Sequence, residues 1–337
     1  MARRMMALCL SVCVMAVMVS GCRESNVGDY QISEDKKLIL YTSHKTDVYI
    51  PLVEEFEERT GIWVQVRAGG TTELMDAIAA EEGSGICDVM LGGGVETYQA
   101  YSSCFAPYRC SEWEKLDQRY LSPDYLWTVF SELPAVFIYN NKLVSEEDAP
   151  KSWEEFLTDR WKGQIAFADA EKSGTSYTIL ATMIQALDME VETVLYQFAE
   201  ALDGNVSAGS REVVDDVSSG RRLVGLTLED NARKWIREGA DISMVYPEEG
   251  TSAVQDGCAL VKGAPHEKNA KLFIDFMVSE DVQQLIAEQF CRRPVRQDIP
   301  LKEPLPEVKL SPFDLSWAGV HQNEILNLWL EMTENSL

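Results

Sequence analysis

The chain is 337 residues long and carries 55 acidic against 30 basic side chains, a formal net charge of -25. A hydrophobic fraction of 46% with 9% aromatics excludes a largely disordered acidic chain, and the length suffices for two domains. Nucleic acid is excluded as a partner, because no Lys/Arg-rich block exists and Arg221-Arg222 and Arg292-Arg293 are isolated pairs.

Arg3 and Arg4 precede an almost unbroken apolar run from Met5 to Val19. That run has the length of a signal-peptide core and falls short of a bilayer span. Val19-Ser20-Gly21-Cys22 follows and resembles a bacterial lipoprotein box. Residues 1–21 are therefore expected to be a lipoprotein signal peptide, Cys22 the lipidated residue, and the polar segment 22–36 a flexible tether. The expected setting is extracytoplasmic, lipid-anchored to a bacterial membrane, in a periplasm or on a Gram-positive surface. Export permits disulfides. Cys104 and Cys110 flank a short Pro-containing turn and are the expected pair.

From Lys37 onward, short apolar runs alternate with helical patterns. Strands are expected at 37–41, 62–67 and 88–91, with helices at 48–60 and 71–82 between them, Gly61 ending the first. This order implies a mostly parallel sheet covered by helices. A second run gives strands at 135–139, 165–168 and 223–226, and helices opening at Ser152, at Ser176 and at Glu229. Ser152 with Glu155 has the form of a capping box. A strand at 258–261, a long helix from Asn269 to Phe290, a Pro-rich tail and a last helix at 321–332 complete the chain. The fold class read from this pattern is α/β, with two lobes and a ligand cleft between them.

In open α/β sheets ligands sit beyond the carboxyl ends of strands. The loops there hold Ser43 and His44; Gly70, Thr71 and Thr72; Gly93 and Gly94; Ser173, Gly174 and Thr175; Ser210 and Arg211; and Thr227, Glu229 and Asp230. Glycine lets backbone approach a ligand, free N–H groups at a helix start favour anions, and hydroxyls add donors. His44, at a strand end, is a candidate ligand contact, whereas His266 and His321 read as surface residues. Nucleophile-elbow, zinc-protease, phosphate-loop and dinucleotide motifs are absent. No enzyme activity, cofactor or metal is expected.

Leu38 to His44, Phe56-x-x-x-Thr60-Gly61-Ile62-x-Val64, Cys87-Asp88-Val89, Trp161-Lys162-Gly163-x-Ile165, Ser173-Gly174-Thr175 and Asn269-Ala270-Lys271-x-Phe273-Ile274-x-Phe276 resemble bacterial solute-binding proteins of ABC importers. The branch resembled holds ferric-iron, thiamine, phosphonate and hexose-phosphate binders, and the resemblance spans Lys37 to Ile299. It implies a type-II periplasmic binding fold that closes like a hinged trap and delivers solute to a membrane permease. Expected lobes are 37–133 with 251–292, and 134–250 with 293–337; a monomer is expected. Ferric members carry adjacent tyrosines at the second-lobe strand end, where this chain has Thr227-Leu228-Glu229-Asp230. The resemblance therefore points away from iron and toward a phosphorylated small solute, a hexose phosphate or an aminoalkylphosphonate. Ser173-Gly174-Thr175 would cradle the anion with Thr71, Thr72 and Arg211 assisting, while Glu229 and Asp230 would meet sugar hydroxyls or an ammonium group. The alternatives are a ferric-iron or cationic-solute binder of the same fold, and a ligand-sensing lipoprotein that partners a sensor kinase.

Overall fold

A computed structural model describes residues 32–80, 85–122, 124–302 and 304–334. The expected signal peptide, Cys22 and most of the tether lie outside them. The helices are α1 (Thr46–Thr60), α2 (Thr71–Ala80), α3 (Val95–Ala100), α4 (Gly174–Leu187), α5 (Val191–Leu202), α6 (Ser210–Ser218), α7 (Glu229–Arg237), α8 (Glu267–Met277), α9 (Glu280–Gln289) and α10 (Leu315–Glu334). The strands are β1 (Lys37–Thr42), β2 (Trp63–Ala68), β3 (Val89–Gly94), β4 (Thr128–Asn140), β5 (Ile165–Ala166), β6 (Val224–Leu228), β7 (Ile242–Val245), β8 (Ala253–Leu260) and β9 (Arg293–Pro294).

The strands run in the order β2-β1-β3-β8-β4-β6-β5, with β7 and β9 also paired to β4. β1 is parallel to β2 and β3, and β5 to β6. The pairs made by β4 and β8 are antiparallel, so the sheet is mixed rather than mostly parallel. The cause is β4, buried along its whole length. Its first half pairs with β8 and its second half with β6 and β7. β4 thereby joins two cores.

The first core gathers β1–β3 and β8 with α1, α2, α8 and α9, and includes Val295. Phe56 meets Phe273 and Phe276 edge-on at 5.1 and 5.3 Å, a favoured aromatic geometry. The second core lies on one face of β4 and β6, around Phe137, Trp153, Phe167, Phe198 and Trp329. Side chains alternate across a strand, so Val136 and Ile138 of β4 face the opposite side and pack with Val213 and Val217 of α6. The last helix, α10, packs against α3, α4 and α5.

Several local expectations are corrected. The long helix from Asn269 divides into α8 and α9 at Val278-Ser279, where Ser279 Oγ donates to the Phe276 carbonyl at 2.8 Å and competes with helix continuation. The helix at Ser152 is a four-residue 3-10 turn, Glu154–Leu157, although Glu155 does accept from the Lys151 N–H at 3.0 Å. Cys104 and Cys110 are buried thiols and not a disulfide; burial pushes the Cys110 thiol up to about 11. His266 is not a surface residue. Its Nδ1 lies 2.8 Å from Asp88 Oδ2, and Asp88, fully buried, also accepts the backbone N–H of Ile39 and of His266 at 2.6 Å each. The pair anchors the start of α8 to β1.

Candidate functional site

The carboxyl ends of β1 and β3 are stitched together by the Ser43 N–H donating to the Leu91 carbonyl at 3.1 Å. Gly92 and Gly93 have φ of +94° and +90°, a region that strongly favours glycine. A Cβ on Gly92 would lie 2.8 Å from Ser43 Oγ and from His44 Nε2, and one on Gly93 only 2.5 Å from Thr71 Cγ2. The glycines thus let Ser43, His44 and Thr71 close over one point. Gly94 is buried beneath the Glu96 carboxylate.

Gly70 accepts the Leu74 N–H at 2.9 Å and opens α2, with Thr71 half-buried and Thr72 exposed. From the second core, Ser173 caps α4, its Oγ accepting from the Ser176 N–H at 3.2 Å. Gly174 follows, exposed, and a Cβ there would lie 4.0 Å from Thr71 Oγ1. Two helix N-termini, one from each core, therefore face each other at Thr71 and Gly174-Thr175.

Beside them lies a buried polar floor. Asp256 of β8 stands opposite Gly94 of β3 and Ser131 of β4. Arg292 Nη1 donates to Asp256 Oδ2, and to Ser131 Oγ at 3.4 Å. Its Nε lies 3.3 Å from Asp230 Oδ2, on the first turn of α7. His44 Nε2 lies 3.3 Å from Asp256 Oδ2, and the ring sits edge-on to Phe130. Burial, with Arg292 adding to it, holds the His44 pKa well below its usual value, so the ring is neutral. Burial also pushes Asp256 up to about 6, although Arg292 pulls the other way, and it raises Asp230.

Glu229 is the neighbour of Asp230 but has another fate. It is 1% exposed and takes Arg293 in a fork, Nε at 2.5 Å and Nη2 at 3.2 Å. The Tyr246 hydroxyl donates to it at 2.9 Å, and burial with the carboxylate pushes that phenol up to about 12. Glu229 is thus tied to partners within the chain. Thr227 is buried in β6, its Oγ1 without a hydrogen-bond partner among the described residues. Ser210 and Arg211 open α6 with Arg211 exposed, and no hydrogen bond or ion pair among the described residues brings them into the cluster.

The two cores are also clamped near the site. Lys234 of α7 pairs with Asp47 of α1 at 2.7 Å. Arg237 donates to the carbonyls of Glu288 and Gln289. Thr178 of α4 donates to Glu96 of α3 at 2.8 Å. Among the described residues, no group of three His, Cys, Asp or Glu is arranged to hold a metal ion. No helix of those residues is long and apolar enough to cross a membrane.

Sequence reasoning missed Asp256, Arg292, Arg293, Ser131 and Tyr246. A signal existed for two of them: Arg292-Arg293 closes the turn after α9, and two adjacent arginines behind a buried helix need acidic partners.

Residues 91–323 match the family of bacterial extracellular solute-binding proteins. Iron uptake protein A1 of Synechocystis sp. is 28% identical over 80% of this chain and 79% of its own. A Sinorhizobium fredii protein named as an ABC-transporter periplasmic-binding protein is 25% identical over 84% and 81%. A Salmonella typhimurium periplasmic protein named for 2-aminoethylphosphonate binding is 23% identical over 73% of both chains. Among solved structures, the periplasmic binding protein AfuA of Actinobacillus pleuropneumoniae, with fructose-6-phosphate bound, superposes with a TM-score of 0.79 at 22% identity over 88% of this chain and 98% of that one. A two-component-system protein that mediates signal transduction gives 0.74 at 27% identity over 88% and 99%. The fold is therefore the two-lobed type-II periplasmic binding fold, and the chain belongs to the bacterial extracellular solute-binding proteins, non-enzymatic components that deliver small solutes to the membrane permeases of ABC importers.

Proposed function

We propose that this protein captures a phosphorylated small solute, a hexose phosphate or an aminoalkylphosphonate, and passes it to its permease. The observation that carries the reading is the facing pair of helix N-termini at Thr71 and Gly174-Thr175. Such termini present N–H groups and the positive ends of helix dipoles to an anion. In this reading Ser43, Thr71, Thr72, Gly93, Ser173, Gly174 and Thr175 surround the phosphoryl group, and His44 and Asp230 meet the rest of the solute. The lobes are proposed as 37–133 with 251–292 and 134–250 with 293–337, closing about the β4 and β8 crossings. Cys22 is proposed to carry a lipid anchor, and the receptor to act as a monomer. A cationic solute or ferric iron is disfavoured because Arg292 and Arg293 already engage oxygens of the three acids beside the cleft, Asp230, Asp256 and Glu229.

The test is a thermal-shift series on the purified protein with hexose phosphates, 2-aminoethylphosphonate, their phosphate-free counterparts and ferric iron. A true solute at 100 times its Kd adds about 2.7 kcal/mol of stability. Shifts confined to the phosphorylated compounds are expected; a shift with iron alone defeats the reading. The 27% identity to a signal-transducing protein favours a second reading, in which the loaded receptor engages a sensor kinase. Solute uptake that persists after deletion, with loss of the transcriptional response to solute, would select it.

A further inference from the structure

Three polar atoms of the floor, His44 Nε2, Asp256 Oδ1 and Arg292 Nε, are buried and lack a hydrogen-bond partner among the described residues. The side chains are 9%, 3% and 8% exposed and belong to one connected cluster. Buried polar atoms are as a rule hydrogen-bonded, so three together point to a ligand that completes them. Their kinds are mixed. Asp256 Oδ1 accepts, Arg292 Nε–H donates, and a neutral imidazole nitrogen does one or the other.

Charge narrows the choice. Arg292 stands as the single cation between two carboxylates, Asp256 and Asp230. A second anion would meet two carboxylates, and an ammonium group, which only donates, would leave the Arg292 Nε–H without an acceptor. A hydroxyl carries no charge and both donates and accepts. We infer that this floor reads the hydroxyl groups of a polyol, so that the preferred solute is a polyhydroxylated phosphate ester such as a hexose phosphate, and not an aminoalkylphosphonate. The inference rests on the phosphoryl reading above for the other end of the solute. It makes Arg292 and Asp256 specificity-determining residues, with His44 beside them.

Isothermal titration calorimetry on the full chain tests this with glucose 6-phosphate, fructose 6-phosphate, the two free sugars, inorganic phosphate and 2-aminoethylphosphonate. A hexose phosphate is expected to bind at least ~100-fold more tightly than 2-aminoethylphosphonate, since a site built for hydroxyls is left with unpaired buried groups by a ligand lacking them. Arg292→Gln and His44→Phe should each shrink that ratio by about tenfold or more. The ligand series on the wild type stands even where a variant does not fold. Equal or tighter binding of 2-aminoethylphosphonate overturns the inference. Inorganic phosphate binding as tightly as the sugar phosphates also overturns it and leaves the phosphoryl reading intact. A free sugar binding as tightly as its phosphate upholds the polyol floor and overturns the phosphoryl reading. Binding of none of these compounds overturns both.

Discussion

Glu229 and Asp230 are adjacent, as are Arg292 and Arg293, yet the two acid–base pairs they form differ in kind. Glu229 and Arg293 make a forked pair, and Tyr246 and the Pro306 carbonyl complete their hydrogen bonding. Asp230 and Arg292 approach only to 3.3 Å through an Nε that is otherwise unpartnered among the described residues. A complete pair has nothing left to offer a solute and acts as a rivet between α7 and β9. The incomplete pair retains bonding capacity where the two cores meet. The difference separates a completed ion pair from an incomplete one in residues that composition alone treats alike.

The largest expected effect tests the rivet. Arg293→Met breaks a buried pair and leaves Glu229, 1% exposed, with Arg233 at 3.5 Å as its remaining cation, a loss of up to about 3–5 kcal/mol. Urea unfolding should register that loss while the folded fraction keeps its solute affinity. A variant that stays stable but loses affinity would place Arg293 with Arg292 and erase the distinction.

The second test concerns Asp256. Its folded pKa, about 6, lies above the ordinary 3.8, so the folded state binds the proton more readily. The associated stability is fully present below about pH 4 and is lost as pH rises through 6, on the order of 3 kcal/mol in all. Asp256→Asn removes this linkage. The stability difference between wild type and variant, from urea titrations at pH 4 and 7.5, should change by that amount. A constant difference would show a carboxylate ionised throughout and a floor held by Arg292 far more firmly.

A third test asks whether an orphan oxygen is enough to mark a binding group. Glu96 Oε2 is buried and unpartnered among the described residues too, but it lies between α3 and α4 and is linked to Thr178 rather than to an arginine. Burial raises its pKa, and a glutamine there keeps an oxygen that can accept from Thr178. Glu96→Gln should then keep stability within about 1 kcal/mol at pH 7 and leave affinity unchanged. Lost affinity would extend the binding floor into the contact between α3 and α4.

The parts of this arrangement that sequence made legible are those set by local chemistry. Gly61, at φ +66°, ends α1 with its N–H on the Glu57 carbonyl. Ser173 caps α4, and the strand-end loops at Ser43-His44 and Gly92–Gly94 meet as their positions in a parallel β-α-β order require. Asp256 and Arg292 were not legible, because their pairing spans 36 residues and depends on the register of β8 against β3 and β4. The length of β4 was hidden for a related reason. Its first half, Thr128–Leu133, includes Ser131 and Glu132, polar residues buried only because β8 and β9 pair across them. The partners of Glu229 were not legible either, because they come from β9 and from the segment after β7.

The smallest expected effect belongs to Lys234 and Asp47, which join α7 to α1 at 2.7 Å with both side chains substantially exposed. An exposed pair contributes at most about 1 kcal/mol and is screened by salt. Lys234→Ala removes one tie between α7 and α1 and leaves the floor untouched. It should weaken binding of the identified solute by no more than about fivefold at low ionic strength. At ~1 M salt, where the screening length is only about 3 Å, the variant and wild type should be indistinguishable. A larger loss that survives high salt would mean that Lys234 reaches the solute itself. The cleft would then gain a cation that needs no carboxylate partner, and the contrast between a finished rivet and an open floor would have to include a third group at its rim.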